Sequence, residues 1–184
     1  CEVARCAEAM RARGIQRGDR VAGFLPNIPE AVIAMLASAS LGAVWSSCSP
    51  DFGAAGVLDR FGQIAPTLLF AADGYSYSGK AIDLLERVLG IVERIPSIQH
   101  VVVVPFLDPH ADCGRIPGAA LWSEFLAAPC EPTFASLPFD HPLYIMYSSG
   151  TTGVPKCIVH GAGGTLVEHM KELMLHCDLA REDS

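Results

Sequence analysis

No stretch of this 184-residue chain offers the roughly 18 charge-free apolar residues that a membrane-spanning helix needs. The longest candidate, Ala31 to Cys48, is interrupted by serines and by Gly42, and reads as a buried helix followed by a strand. Basic residues are scarce. Thirteen Lys and Arg against twenty Asp and Glu leave a net charge of −7, which argues against the basic face that a nucleic-acid backbone recruits. A small anionic substrate stays open, because local donors rather than net charge would hold it. The seven cysteines include no Cys-x-x-Cys pair; odd in number and irregularly spaced, they make no disulfide framework. Cys1, Cys6, Cys48, Cys157 and Cys177 fall in apolar surroundings and read as small core residues, a usage that suits the reducing cytosol. There is no charged-then-apolar leader, no internal repeat and no low-complexity tract. No histidine pair stands at i, i+4. His160, His169 and His176 therefore read as ordinary core or surface residues, and no metal site is expected.

What is present is an apolar core and a regular rhythm. Hydrophobic residues make up 51% and charged ones 18%, enough for one well-buried domain. Val3, Cys6, Ala7 and Met10 repeat at helical spacing up to Gly14, a left-handed cap. Arg17-Gly-Asp is a turn, and Arg20 to Leu25 a strand. Asn27-Ile-Pro-Glu30 predicts a helix start with Asn27 as N-cap, running to Leu41 and ending at Gly42. Ala43 to Cys48 is a strand, Ala54 to Ile64 a helix, and Thr67 to Ala71 a strand. Asp73 to Gly79 reads as a polar loop, and Lys80 to Ile95 as an amphipathic helix. Val101 to Val104, four valines without alternation, predicts a strand buried on both faces. Helices alternating with strands in this way predict an α/β fold: a mainly parallel sheet flanked by helices, with ligands at the carboxyl ends of its strands.

Between residues 107 and 142 the texture changes. Pro109, Pro117, Pro129, Pro132, Pro138 and Pro142 punctuate it, and Leu121 to Leu126 is its one helical patch. It reads as an irregular Pro-rich excursion within one domain. Near the end, Thr165 and Glu168 form a capping box that predicts a helix from Leu166 to about Cys177, with Glu168, Lys171 and Glu172 on its wet side. The start at Cys1 and the polar end at Arg181-Glu-Asp-Ser184 suggest a piece of a longer protein.

Between the excursion and that helix lies the stretch with chemistry in it. Leu143 to Tyr147 reads as a buried strand and Cys157-Ile158-Val159 as a second one. Six small residues follow the first: Ser148, Ser149, Gly150, Thr151, Thr152 and Gly153. Pro155 then places Lys156. Small residues let a backbone close around an anion with its N–H groups inward, hydroxyls add donors, and the lysine adds full charge. On composition alone such a turn is equally an ordinary solvated loop. It is not a Walker loop, because Gly150, Gly153 and Lys156 are spaced by three and no hydroxyl follows the lysine. Cys157, with no base evident nearby, reads as a buried structural cysteine. Trp45 and Phe52, flanking the serine-rich turn at 46–49, read as core packing.

The ordered pattern Tyr147-Ser-Ser-Gly-Thr-Thr-Gly-x-Pro-Lys156 resembles the signature loop of the adenylate-forming enzymes, the acyl-CoA synthetase and luciferase superfamily. Further stretches, Trp45-Ser-Ser-Cys-Ser-Pro-Asp-Phe-Gly53, Val159-His160, Glu168 to Leu173 and Leu175 to Leu179, look like its acetoacetate-activating branch. The resemblance covers nearly all of the chain and is weakest between Leu107 and Pro138. It implies that residues 1–184 are part of the large N-terminal, AMP-binding domain of such an enzyme. The implied reaction joins acetoacetate to ATP as an acyl-adenylate with release of pyrophosphate, then passes the acyl group to CoA, with Mg²⁺ as the metal of the ATP. It implies that Ser148, Ser149, Gly150, Thr151, Thr152, Gly153 and Lys156 bind the ATP phosphates. Lys80 stands where acetyl-CoA synthetases carry arginines that meet CoA phosphates, which implies a CoA contact. The family's later motifs and its C-terminal domain with the catalytic lysine do not occur in these residues, so no catalytic residue is assigned and the chain alone is expected to be inactive. Two alternatives stay open: a sibling synthetase for acetate or another short acid, and a truncated, non-catalytic nucleotide-binding module.

Overall fold

The computed structural model describes residues 1–148 and 153–183. Helix α1 (Glu2–Ala12) leads into β1 (Arg20–Phe24), α2 (Pro29–Leu41), β2 (Val44–Cys48), α3 (Ala54–Ile64) and β3 (Leu68–Ala72). A small hairpin, β4 (Gly74–Tyr77) and β5 (Lys80–Asp83), precedes α4 (Leu85–Arg94) and β6 (His100–Val104). After β7 (Ala119–Leu121) and the single turn α5 (Trp122–Phe125) come β8 (Pro142–Ser148), β9 (Lys156–Gly161) and α6 (Ala162–Lys171), which passes into a π-helical turn at Glu172–His176.

Seven strands form one sheet in the order β7-β6-β3-β1-β2-β8-β9, parallel except for β9, which returns antiparallel on β8. β3 shows how the sequence builds two cores at once. Leu68, Phe70 and Ala72 project into one cluster with Met10, Trp45 and Phe125; Leu69 and Ala71 project into the other with Phe24, Phe61 and Val88. Phe70 meets Trp45, Trp122 and Phe125 at centroid separations of 5.6–6.4 Å, so this aromatic group joins the sheet to α5. The valines of β6 are buried on both faces, as their unalternating pattern predicts.

The Pro-rich segment has a geometric task. β7 and β8 lie five strand spacings apart, about 24 Å at ~4.8 Å per spacing. An extended chain covers that distance beneath α1 and α2, tied down as it goes. Arg5 and Ala127 exchange hydrogen bonds, Thr133 accepts one from Arg11, and the Ala135 amide donates to the Ser40 carbonyl. His141, buried, then bonds the carbonyl of Gly42 at 2.8 Å. Gly42 closes α2 at φ 75°, a left-handed position open to a residue without Cβ.

Several boundaries differ from expectation for reasons the structure gives. Pro29 excludes the residue before it from the helical region, so the N-cap of α2 is Ile28 and not Asn27. The expected polar loop at 73–79 and first turn of the next helix form the β4–β5 hairpin instead. Ser78 and Gly79 at its tip both take positive φ, the combination that a two-residue hairpin turn requires. The excursion hides β7, a three-residue edge strand on β6. The last helix begins at Ala162, ahead of the Thr165 capping box. The Ala162 and Gly163 amides already donate to the His141 and Phe139 carbonyls, so no side-chain cap is needed.

The cysteines divide in two. Cys6 and Cys48 are core residues as expected, whereas Cys1, Cys157 and Cys177 are exposed. Cys157 is thus not a buried structural cysteine: among the described residues β9 is an edge strand, and its side chains from Lys156 to His160 are exposed. β8, expected to be buried, is half-exposed. Burial raises the Cys6 and Cys48 thiols from their ordinary 9.0 to about 12, helped at Cys6 by Glu2 and opposed at Cys48 by Arg60. Iodoacetamide at pH 8 should therefore alkylate Cys157 and Cys177 in the folded chain and spare Cys6 and Cys48 until denaturant is added, as read by mass spectrometry. Thiols raised on folding cost nothing below pH 9, and they withdraw stability as pH climbs from 9 towards 12.

Candidate functional site

β2 and β8 touch through a single parallel pair, Trp45 with Tyr144, and beyond that point their ends are bridged by side chains. The hydroxyl of Ser46, 1% exposed, donates to the Ile145 carbonyl at 2.7 Å and lies 3.1 Å from the Tyr147 hydroxyl. Burial raises the Tyr147 phenol well above its ordinary value, which the Ser46 hydrogen bond partly opposes. Tyr147 therefore stays neutral and serves as a fixed wall. Tyr144 is raised by burial in the same direction.

Beside these strand ends lies a cleft of about 870 Å³, within the size range of small-molecule sites. Trp45, Phe52, Tyr144 and Tyr147 give it aromatic walls; Arg60, His160, Glu168 and His169 bring polar groups. Trp45 is the core residue expected of it and a ligand wall as well. Phe52 is 39% exposed and carries the Arg60 guanidinium 4.3 Å above its ring, so it is a wall more than a core residue. Lys171 on α6 bonds Glu168 at 2.9 Å and Glu172 at 3.0 Å; all three are exposed as expected, and Glu168 also lines the cleft.

Ser148, Gly153 and Lys156, three of the residues that the resemblance implies for phosphate, lie just past this cleft. Antiparallel pairing sets Ser148 opposite Lys156, with Tyr147 opposite Cys157 behind them. Gly153 takes φ 100°, a conformation that glycine adopts freely, with open space around it. Ser148 is half-buried; Gly153 and Lys156 are exposed, and none of the three lines the cleft itself. Ser149, Gly150, Thr151 and Thr152 lie outside the described residues. The arrangement puts one hydroxyl and one amine at the open end of a β-hairpin, where an anion bound between them would meet both. Lys80 is elsewhere. It is exposed, paired with Tyr77 at the tip of β4–β5, and is not among the cleft residues.

Sequence reasoning did not single out Ser46, Arg60 or Gln63 as individuals. The serine-rich turn at a strand end was a signal for Ser46; the other two looked like the polar face of a helix. Among the described residues no group of three or more His, Cys, Asp or Glu is placed to hold a metal ion. No helix among them is long and apolar enough to cross a membrane.

A family model described as AMP-binding enzyme matches residues 1–183, and the chain belongs to that family. Its relatives include the acetoacetyl-CoA synthetase of Mus musculus, 50% identical over 190 residues, and the acetoacetyl-coenzyme A synthetase of Rhizobium meliloti (strain 1021), 52% identical over 180. These alignments cover 99% and 96% of this chain but only 28% and 27% of the relatives. A solved structure, the acetoacetyl-CoA synthetase from Streptomyces lividans, superposes with a TM-score of 0.93 at 50% identity, covering 99% of this chain and 28% of that one. The mostly parallel sheet flanked by helices is thus the fold of that neighbour. The chain spans little more than a quarter of the length of the relatives it matches.

Proposed function

We propose that this chain is the phosphate-binding part of an ATP-dependent acid–thiol ligase that converts acetoacetate to acetoacetyl-CoA. The observation that carries the reading is the β8–β9 hairpin. It sets Ser148 opposite Lys156 at the carboxyl end of a parallel strand, with the hydroxyl- and glycine-rich stretch 149–153 between them. Identity near 50% to proteins named acetoacetyl-CoA synthetases supports the choice of acid.

In the proposed reaction a carboxylate oxygen of acetoacetate attacks the α-phosphorus of ATP. The bond to the bridging oxygen breaks and pyrophosphate leaves. The CoA thiol, losing its proton, then attacks the acyl carbon and AMP departs. Two anions must approach each other, so charge on the β- and γ-phosphates has to be neutralised by fixed donors. Ser148, Gly153 and Lys156, together with Ser149, Gly150, Thr151 and Thr152, are proposed to do this. The described residues do not group the oxygen donors that a resident Mg²⁺ requires; the ion would come bound to the triphosphate. Lys80 remains a proposed contact for CoA at the protein surface, away from the cleft.

The rest of the proposed ligase would cover an apolar face that this chain leaves open. Met146, Ile158, Val159, Leu166, Val167, Met170 and Leu175 are each 45–75% exposed along β8, β9, α6 and the π-helical turn that follows it. Residues 1–184 would then be part of a larger AMP-binding domain, inactive alone, in a cytosolic protein whose thiols remain reduced. The test is pyrophosphate release by the full-length protein with ATP, comparing acetoacetate with acetate. Release that depends on acetoacetate is expected. Equal or greater release with acetate would reassign the acid, and none with either would favour a non-catalytic nucleotide-binding module.

A further inference from the structure

Helix α3 meets both stems of the phosphate hairpin with two residues one turn apart. The Arg60 guanidinium lies 4.3 Å from the Phe52 ring centroid and 5.7 Å from that of Tyr147, and Nη1 donates to the Gly56 carbonyl at 2.7 Å. Tyr147 immediately precedes Ser148, so this contact holds the first stem. Gln63 holds the second stem in two places. Its Nε2 donates to the Pro155 carbonyl at 2.9 Å, and its Oε1 accepts from the Cys157 thiol at 3.6 Å. Pro155 and Cys157 are the two neighbours of Lys156.

Side chains alternate along a strand. With the Cys157 thiol drawn toward α3, the Lys156 side chain emerges on the opposite face, the one that Ser148 also presents. Among the described residues β9 has a strand partner on one side only, so the Gln63 bonds restrain it from outside the sheet. We infer that Gln63 is a positioning residue: by bonding both neighbours of Lys156 it sets the direction of the lysine toward a bound polyphosphate. This rests on the phosphate-binding reading above.

The test is calorimetric titration of inorganic tripolyphosphate into the 184-residue chain, comparing wild type, Gln63→Met, Lys156→Ala and the double variant. Gln63→Met keeps the side-chain length and removes both hydrogen bonds to the hairpin, along with the one that Gln63 Nε2 donates to the Asp59 carbonyl within α3. It is expected to weaken binding about three- to tenfold, the scale of one or two partly exposed hydrogen bonds, with an unchanged Tm. In the Lys156→Ala background it should add nothing, because residues acting through one another are not additive. If Gln63→Met lowers the Tm, Gln63→Glu provides the second reading. It keeps the acceptor for Cys157, loses the donor to Pro155, and should weaken binding at least as much. Wild-type affinity in the Gln63 variants, or penalties that simply multiply in the double variant, would overturn the inference while Lys156-dependent binding keeps the phosphate reading intact. No tripolyphosphate binding by wild type would remove both.

Discussion

Replacing Asp73 with alanine should lower the unfolding free energy by about 3–5 kcal/mol, on the scale of 1–3 kcal/mol for each backbone donor left without a partner. Asp73 ends β3 with its side chain 2% exposed, and its carboxylate gathers the amides of the strand exit next door. Phe106 donates to Oδ1 at 2.7 Å, Leu107 to both oxygens at 3.0 and 3.2 Å, and Asp108 to Oδ2 at 2.8 Å. The Asp73 backbone continues the seam: its amide donates to the Val104 carbonyl, and its carbonyl accepts from the Leu84 amide. One residue therefore joins the end of β3, the chain leaving β6 and the hairpin β4–β5. Alanine leaves the N–H groups of Phe106, Leu107 and Asp108, three exposed residues, to find water. Asparagine keeps one acceptor oxygen but turns an NH₂ toward the remaining donors, so its penalty should lie between wild type and alanine. Urea unfolding monitored by far-UV circular dichroism measures both; a loss under about 1 kcal/mol for alanine would mean that water replaces the carboxylate without penalty.

Lys156→Ala carries the largest expected effect on function. In the proposed full-length ligase it should cut acetoacetate-dependent pyrophosphate release by about 10²-fold or more, the scale for removing one donor aimed at charge that develops in a transition state. The fall should be mainly in kcat, because the departing pyrophosphate carries more negative charge on its bridging oxygen than ATP does. Lys156→Arg keeps the charge but not the compact ammonium, and should recover only part of the rate. Lys80→Ala is the contrasting case. Its side chain stands at a hairpin tip outside the cleft, so adenylation should proceed near the wild-type rate and any loss should appear in the KM for CoA. Equal damage from both substitutions would mean that the hairpin position opposite Ser148 has no special role.

The parallel framework was legible because its signals are local. Four successive valines marked β6, Gly42 marked the end of α2, and the bounds Ala54 to Ile64 read for α3 are those observed. The β4–β5 hairpin was missed because Tyr75, Ser76 and Tyr77 look like a polar loop; a turn with two positive-φ residues decides the matter. Ile158 and Val159 look like core residues in sequence, but whether a strand is covered is set by tertiary packing that no local pattern encodes, so Cys157 was misread with them. The ordered pattern of hydroxyls, glycines and one lysine at 148–156, proposed to bind phosphate, was legible in the sequence. Its supports were not. Gln63 reaches Pro155 across 92 positions and Ser46 reaches Tyr147 across 101, and no local pattern encodes a contact of that range. Arg60 has the spacing of a solvent-facing helix residue, and only the fold puts Tyr147 beneath it.

Backbone amide NMR of the isotope-labelled chain, titrated with tripolyphosphate, tests most directly whether the β8–β9 hairpin is an anion site. The largest saturable shift changes should fall on Ser148, Gly153 and Lys156, with smaller ones at Tyr147 and Gln63 and none at Lys80. Saturable changes centred on another part of the molecule, or a hairpin whose resonances do not respond, would contradict the assignment of triphosphate binding to this turn.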